Sequence, residues 1–512
     1  MNNTHLSNRM TLGRRLGMAL SVVLLTGGLL MQTAVAQTEA RPTDDQIVIA
    51  VESGLDYDSS IPGNGIDVES TNGIVTLQGE VPNLLAKERA VAVVETIRGV
   101  RSIVNDLTVK PIARSDEQIR ADVKASLLAD PATDSYEIAT QVKHGVVTLS
   151  GTVNSWQEKQ LSGAVAMGVK GVKEINNTLT VDYAKDRPDS EIEADVQAAL
   201  QRDPWIDDLL LTATVQDGTV TIDGIVGSLA EKRRVRGSAW VNGVVAVNDV
   251  GVDIEPWAAD TMQRKTKTAF RSDAEIERAV NDSLLFDPRV FSFNPTVSVD
   301  DGVVTLTGTV DNLKAKHAAA QNAGNTPGVW RVKNLLKVRS TDAVTDGELV
   351  QNAIDAIERD PYLERFEVGV TARNGTVHLG GTVDSFYEKA HAEDVVSRLN
   401  GVVEVNNNLA VSYPAYTYYY WPHSTMFYEP HRYNRSMASS TWHYETDAEV
   451  QDDIENELFW SPFVNSNHVN VAVNNGVATL TGTVSDWNEY SAATENAWEG
   501  GARGVINELR VN

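Results

Sequence analysis

The stretch His144-Gly145-Val146-Val147-Thr148-Leu149-Ser150-Gly151-Thr152-Val153 decides how the chain is read, because variants of it occur six times. The other copies enter at Asn72-Gly73, Asp217-Gly218, Asp301-Gly302, Asn374-Gly375 and Asn475-Gly476. In every copy a second glycine follows the first by six residues, at Gly79, Gly151, Gly224, Gly308, Gly381 and Gly482. Repetition at a fixed spacing marks a duplicated unit. A polar residue and a glycine leading into alternating apolar positions is the chemistry of a two-residue hairpin turn with positive φ. Each second glycine marks a strand passing close to neighbouring backbone, where a side chain would not fit. All twelve glycines are read as serving backbone geometry.

An amphipathic helix precedes every hairpin, with apolar residues four apart. The triplets are Ile47, Val51 and Leu55; Ile119, Val123 and Leu127; Ile192, Val196 and Leu200; Ile276, Val280 and Leu284; Leu349, Ala353 and Ile357; Val450, Ile454 and Leu458. Capping boxes open five of these helices: Thr43 with Gln46, Ser115 with Gln118, Ser272 with Glu275, Thr345 with Glu348 and Thr446 with Glu449. The third unit has Pro188 at that place, so Asp189 or Ser190 is expected to cap. Asp130-Pro131, Asp203-Pro204, Asp287-Pro288, Asp360-Pro361 and Ser461-Pro462 stop five helices, since proline forbids continuation. The first unit lacks such a pair and carries Pro62-Gly63-Asn64-Gly65 instead. A second helix follows each hairpin, closed by glycine and an apolar residue as in Gly171-Val172. A last strand then carries an asparagine: Asn105, Asn177, Asn248, Asn334, Asn407 or Asn507.

Each unit therefore reads helix, strand, strand, helix, strand, an α+β fold with two helices on a three-stranded mixed sheet. The short strand-helix-strand step sets the last strand parallel to one hairpin strand. The units span residues 43–110, 115–183, 188–254, 272–339, 345–413 and 446–512. A basic linker, 255–271, carries Arg264, Lys265, Lys267 and Arg271, and a Tyr/His-rich linker spans 414–445. Residues 1–36 hold Arg9, Arg14 and Arg15, no acidic residue, an apolar core and Ala34-Val35-Ala36 before Gln37. This is the pattern of a cleavable signal peptide and predicts a periplasmic protein. Its removal would take the net charge from −26 to −29.

Together, D-x-x-I-x-x-x-V-x-x-x-L-x-x-D-P, x-G-V-V-T-L-S-G-x-V, a helix ending in G-V, and V-x-N-x-L resemble the BON domain (bacterial OsmY and nodulation), most closely at residues 116–181 and 345–411. The resemblance covers nearly all of the chain after residue 36, in six tandem copies. It implies an envelope protein without catalysis, associated with phospholipid surfaces and osmotic-stress protection, or with chaperone-like roles. The family carries no universal set of binding residues.

The residues themselves agree with a non-enzymatic reading. There are no cysteines, which removes disulfides, thiolate metal sites and a cysteine nucleophile. The chain contains no G-x-S-x-G, H-E-x-x-H, Walker or G-x-G-x-x-G motif. Its acidity repels nucleic acid, so neither a nucleic-acid partner nor a cofactor is expected. The recurring Asp-Pro is read as a helix stop with no further role.

Three features are candidates for contact with lipid or a partner. Trp205, Phe286, Phe291, Tyr362, Trp460 and Phe463 cluster at the helix stops, where aromatics either cap their own core and pack between units, the commoner outcome, or dip into a lipid interface or grip a partner. Lys232, Arg233, Arg234 and Arg236 form a local basic run, read first as a solvated helix face paired with acidic neighbours and otherwise as a patch suited to anionic head groups. His423, His431 and His443 lie in the aromatic linker, but spacings of eight and twelve match no compact metal motif. The expected activity is peripheral, avid binding of envelope components, in the first place phospholipid surfaces, supporting envelope integrity under osmotic or related stress. The alternative is a scaffold or chaperone-like holder of exported proteins.

Overall fold

The polar-Gly pairs take the left-handed backbone that the turn requires. φ is 55° at Asn72 and 75° at Gly73, 55° and 80° at His144 and Gly145, and 52° and 79° at Asn374 and Gly375, and the other three pairs match. The computed structural model describes residues 42–511 apart from 59, 62–64, 131, 134–137, 184–186, 204, 262–271, 286, 288–289, 291–294, 311, 325, 330, 340–343, 364–366, 412–445, 462–463, 485–486, 501 and 503. The signal-peptide segment, the Tyr/His-rich linker, most of the basic linker, Pro62-Gly63-Asn64 and four of the five stop prolines lie outside the described residues.

Unit five shows the plan. Helix Asp346–Arg359 is followed by the hairpin Val368–Arg373 and Thr376–Val383, helix Phe386–Ser397 and strand Glu404–Val411. The second hairpin strand is central: it pairs antiparallel with the first, Val370 opposite Leu379, and parallel with the last, Val377 opposite Val405. Val377, Leu379 and Val383 are buried on the inner face, while His378 and Gly380 are half-buried and Thr382 is exposed. The two helices cover that inner face with Leu349, Ala353, Ile357, Ala392 and Val396. The other five units repeat this order and pairing, with the last strand of units two and four broken into two short segments and that of unit three bulged between Asn248 and Gly251.

The turn is held from a distance. Its two adjacent N–H groups, from the polar residue and the glycine, both donate to the carboxylate of the first residue of the opening helix. Asp44 accepts from Asn72 and Gly73 at 2.8 and 2.9 Å. Asp116 does so from His144 and Gly145, Asp189 from Asp217 and Gly218, Asp273 from Asp301 and Gly302, Asp346 from Asn374 and Gly375, and Asp447 from Asn475 and Gly476. The carboxylate also sits at the positive end of its helix, where negative charge is favoured. Unit three departs from its expected cap: Pro188 itself is the N-cap, without a side-chain bond, because the Asp189 carboxylate is engaged at the turn. Capping boxes close at Thr43, Ser115 and Thr345.

The aspartate at the helix stop has more than a stopping role, contrary to its reading as a stop alone. Its Oδ1 accepts a backbone N–H two residues on, as at Trp205 and Tyr362, in a local turn. Its side chain then reaches the second helix: Asp58 pairs with Arg89, Asp203 with Arg234 at 2.6 Å, Asp287 with Asn322 at 2.7 Å and Asp360 with His391 at 2.7 Å. In unit one, which lacks the Asp-Pro pair, Asp58 occupies this place. The last-strand asparagine ties the other end. Asn177, Asn334 and Asn407 each donate to a second-helix carbonyl at 2.7 Å, and each Oδ1 accepts the N–H two residues further on.

Hydrogen bonds from His144 and Gly145 hold the Asp116 carboxyl below its ordinary value of 3.8. A depressed folded value gives stability above the unfolded value that is lost as pH falls through the folded one. Asp116→Asn is therefore expected to melt below wild type at neutral pH and to converge with it in acid; melting curves from pH 7 to pH 2 check this. A Cβ on Gly224, where φ is 139°, would overlap the Leu210 carbonyl oxygen. Gly224→Ala is expected to cost about 3 kcal/mol in urea denaturation, combining backbone strain with overpacking.

Candidate functional site at the seams between units

A unit of this size buries little apolar surface by itself. The chain meets the shortage by joining units. Buried residues of units one and two form one continuous cluster, with Leu229 of unit three and Tyr362 of unit five packed against it. Leu313, at the start of unit four's second helix, is 6% exposed and lies within the core of unit five. Trp156 of unit two stacks on Trp240 of unit three with ring centres 5.0 Å apart and planes at 5°, beside a 2.8 Å bond from Gln157 Nε2 to the Trp240 carbonyl. Ion pairs join Arg233 to Glu95, Arg202 to Asp282 and Lys314 to Asp394, linking units three with one, three with four and four with five.

Unit five closes back on the beginning of the chain. The Tyr362 hydroxyl donates to the Ser60 carbonyl at 3.0 Å. Lys170 of unit two donates its N–H to the Arg359 carbonyl at 2.7 Å and its Nζ to the Leu363 carbonyl at 2.8 Å. Around this closure Tyr387 stacks on His391 at 5.4 Å, and Tyr362 meets both rings edge-on. Burial pushes the Tyr362 and Tyr387 hydroxyls up, so both stay neutral. Burial alone would raise the Asp394 carboxyl, but Arg398 and Lys314 outweigh it and hold it ionised. Units one, two and five leave between them a cavity of about 150 Å³, lined by Leu85, Ala164, Asp360, Tyr387, Arg359 and Arg398 among others.

The structure places the candidate contact residues as follows. Trp205 is 5% exposed and inside unit three, and Tyr362 lies in the seam just described. Lys232 donates to the Val252 carbonyl, and Arg233, Arg234 and Arg236 pair with Glu95, Asp203 and Asp249. Each cation of that patch is engaged within the chain. Phe286, Phe291 and Phe463, and the Trp460 side chain, lie outside the described residues. Buried carboxylates that reading by residue type missed, Glu158 and Glu231, accept backbone N–H groups of Asn154, Gly227 and Asp207. Their place three residues into the second helix, after a Ser cap, is a capping signal. Among the described residues no group of three or more His, Asp or Glu is placed to hold a metal ion, and no helix is long and apolar enough to cross a membrane.

Repeated units whose shared polar residues bond their own backbone and helices define a tandem α+β repeat protein. The BON domain model matches residues 43–111, 115–183, 188–255, 272–340, 345–413 and 446–512, and the chain belongs to the BON domain family. It is similar to osmotically-inducible protein Y of Escherichia coli (strain K12), 32% identical over 143 residues, covering 27% of this chain and 71% of that one. It is also similar to outer membrane lipoprotein DolP of Haemophilus influenzae, 28% identical over 165 residues, covering 30% of this chain and 84% of that one. The C-terminal domain of CdsD, the structural protein of the type III secretion system of Chlamydia trachomatis, aligns at 15% identity with a TM-score of 0.12, over 44% of this chain and 100% of that one.

The Leu313 contact yields a test across a seam. Leu313→Ala, a substitution in unit four, is expected to destabilise unit five by roughly 2–5 kcal/mol, the range for emptying a buried leucine site. Hydrogen exchange resolved by unit reads this; loss of protection confined to unit four would contradict it.

Proposed function

We propose that this chain is a non-enzymatic, peripheral binding protein of the bacterial envelope, exported to the periplasm, that docks on phospholipid surfaces and supports envelope integrity under osmotic or related stress. The observation that carries the reading is that the polar residues common to the units are consumed by the fold. The aspartates, asparagines and glycines of the repeat serve turns, caps and helix ties, so recognition falls to surfaces offered several times over. The names of the relatives, one osmotically inducible and one an outer membrane lipoprotein, point the same way. Weak contacts on tethered units raise effective concentration when several engage together.

Contact with lipid is assigned to Phe286, Phe291, Trp460 and Phe463, because Trp205, Tyr362 and the four basic residues are committed within the chain. The net charge, −26 for the whole chain and −29 without residues 1–36, then works against anionic surfaces, over a screening length of about 8 Å at physiological salt.

Flotation of the full chain with phosphatidylethanolamine vesicles, with and without phosphatidylglycerol, tests this. The chain is expected to float with the vesicles, less well as phosphatidylglycerol increases and better again when salt is added. Failure to float under any of these conditions overturns the lipid reading, and capture of an unfolded exported protein in its absence supports the holder reading instead.

A further inference from the structure

The start of one unit's second helix meets the end of another's in a fixed order. Leu84 opens the helix of unit one and shares a core cluster with Val165 and Ala166, in the last turn of unit two's helix Trp156–Met167. Trp156 in turn stacks on Trp240, just past the end of unit three's helix Leu229–Ser238. Leu229 packs back on the cluster of units one and two. One turn on, Arg233 pairs with Glu95 in the last turn of unit one's helix Leu84–Thr96. Start meets end from one to two, two to three and three to one, which closes a ring of three units.

The same contact recurs from unit four to unit five. Leu313 opens unit four's helix Leu313–Gly324 and enters the core of unit five, and Lys314 pairs with Asp394 in the last turn of Phe386–Ser397. Eleven residues after the opening residue stand Glu95, Met167 and Trp240 in the first three units, and Gly324, Ser397 and Trp498 in the last three. Gly324 is not demanded by its own unit. Its backbone is not left-handed, and a Cβ there would meet Val332 at an ordinary 3.9 Å. Glycine weakens a helix relative to alanine, so its presence is explained by room left for a group from outside the unit.

We propose that units four, five and six close a second ring of the same kind. The start of unit five's helix at Phe386 meets the end of unit six's helix Trp487–Glu499 at Trp498, an aromatic pair in the place of Trp156 and Trp240. Trp487 opens unit six's helix and meets the end of unit four's at Gly324, the largest side chain against the smallest. The 34 residues between Val411 and Thr446 can reach about 110 Å, far more than the roughly 30 Å width of a small domain. Tethering then favours a partner within the chain over one on a second copy. The contact uses none of Phe286, Phe291, Trp460 or Phe463, so it stands or falls apart from the lipid reading.

The chain has no cysteine, so introduced pairs report cleanly. In the full chain, Gln321→Cys with Asn488→Cys copies the contact of Lys314 with Asp394: Asn488 follows the opening residue of its helix as Lys314 does, and Gln321 stands eight residues after its own, as Asp394 does. With a short bis-maleimide this pair is expected to cross-link within one chain, at a yield within about twofold of Lys314→Cys with Asp394→Cys. Adding Gly324→Trp or Trp487→Ala is expected to cut that yield at least fivefold, and each variant decides if the other misfolds. No cross-link, a cross-link between chains only, which would make a second copy the partner, or a yield unmoved by both variants would overturn the proposal.

Discussion

Two adjacent N–H groups in a tight turn must find an acceptor, and the rest of this molecule depends on where they find it. With both central residues at positive φ, the turn directs its donors away from the hairpin's own ladder. In all six units the acceptor is the first side chain of a helix some 28 residues earlier. One carboxylate thus joins a helix start to a hairpin tip. That bond sets how the opening helix crosses the sheet, so the triplet of apolar residues on the helix falls on the inner strand face. The stop aspartate and the last-strand asparagine then fasten the second helix at its two sides. In units four and five three polar residues thus position five elements, and the small apolar core fills what they enclose.

Such a unit is stable enough to form but too small to be indifferent to its neighbours. The seams exploit positions where the repeats differ. The residue opening the second helix is Leu84, Trp156, Leu229 and Leu313 in units one to four. Leu84 belongs to the core shared by units one and two, Trp156 stacks on the next unit, Leu229 touches two clusters and Leu313 enters unit five. The same geometric slot thus serves as a plug whose shape is matched to a particular neighbour. Which units adjoin is set in part by these side chains, since they vary where the element order repeats.

The fold was legible because its determinants are local. A polar-Gly pair, a four-residue apolar spacing and a capping box each act within one element, and nothing distant overrides them. The carboxylate clamp left a trace, the constant aspartate at the head of every opening helix, but its partner lies too far along the chain for spacing to reveal. That small units would lean on one another was legible from their size, but which residues meet at the seams was not. Tyr362 bonds Ser60 across 302 residues and Lys170 bonds Leu363 across 193, distances over which sequence carries no periodic signal. What signal existed was departure from the repeat. Tyr362 and Trp205 stand out as aromatics at a helix stop, a position that suits either a lipid surface or packing within the chain, and both are packed within it.

The basic run on unit three's second helix makes the same point about charge. In a chain of net charge −26, a cation is surrounded by candidate acidic partners before it meets anything else. Exposed pairs of this kind contribute only about 0–1 kcal/mol each, so their effect on stability is small. Their effect on the external field is larger, because each pair cancels a positive charge that would otherwise face outward. Arg233 paired to Glu95 and Arg236 paired to Asp249 leave near-neutral a face that the sequence alone reads as basic. Attraction to a membrane would then have to come from apolar contact working against that field, with added salt strengthening binding.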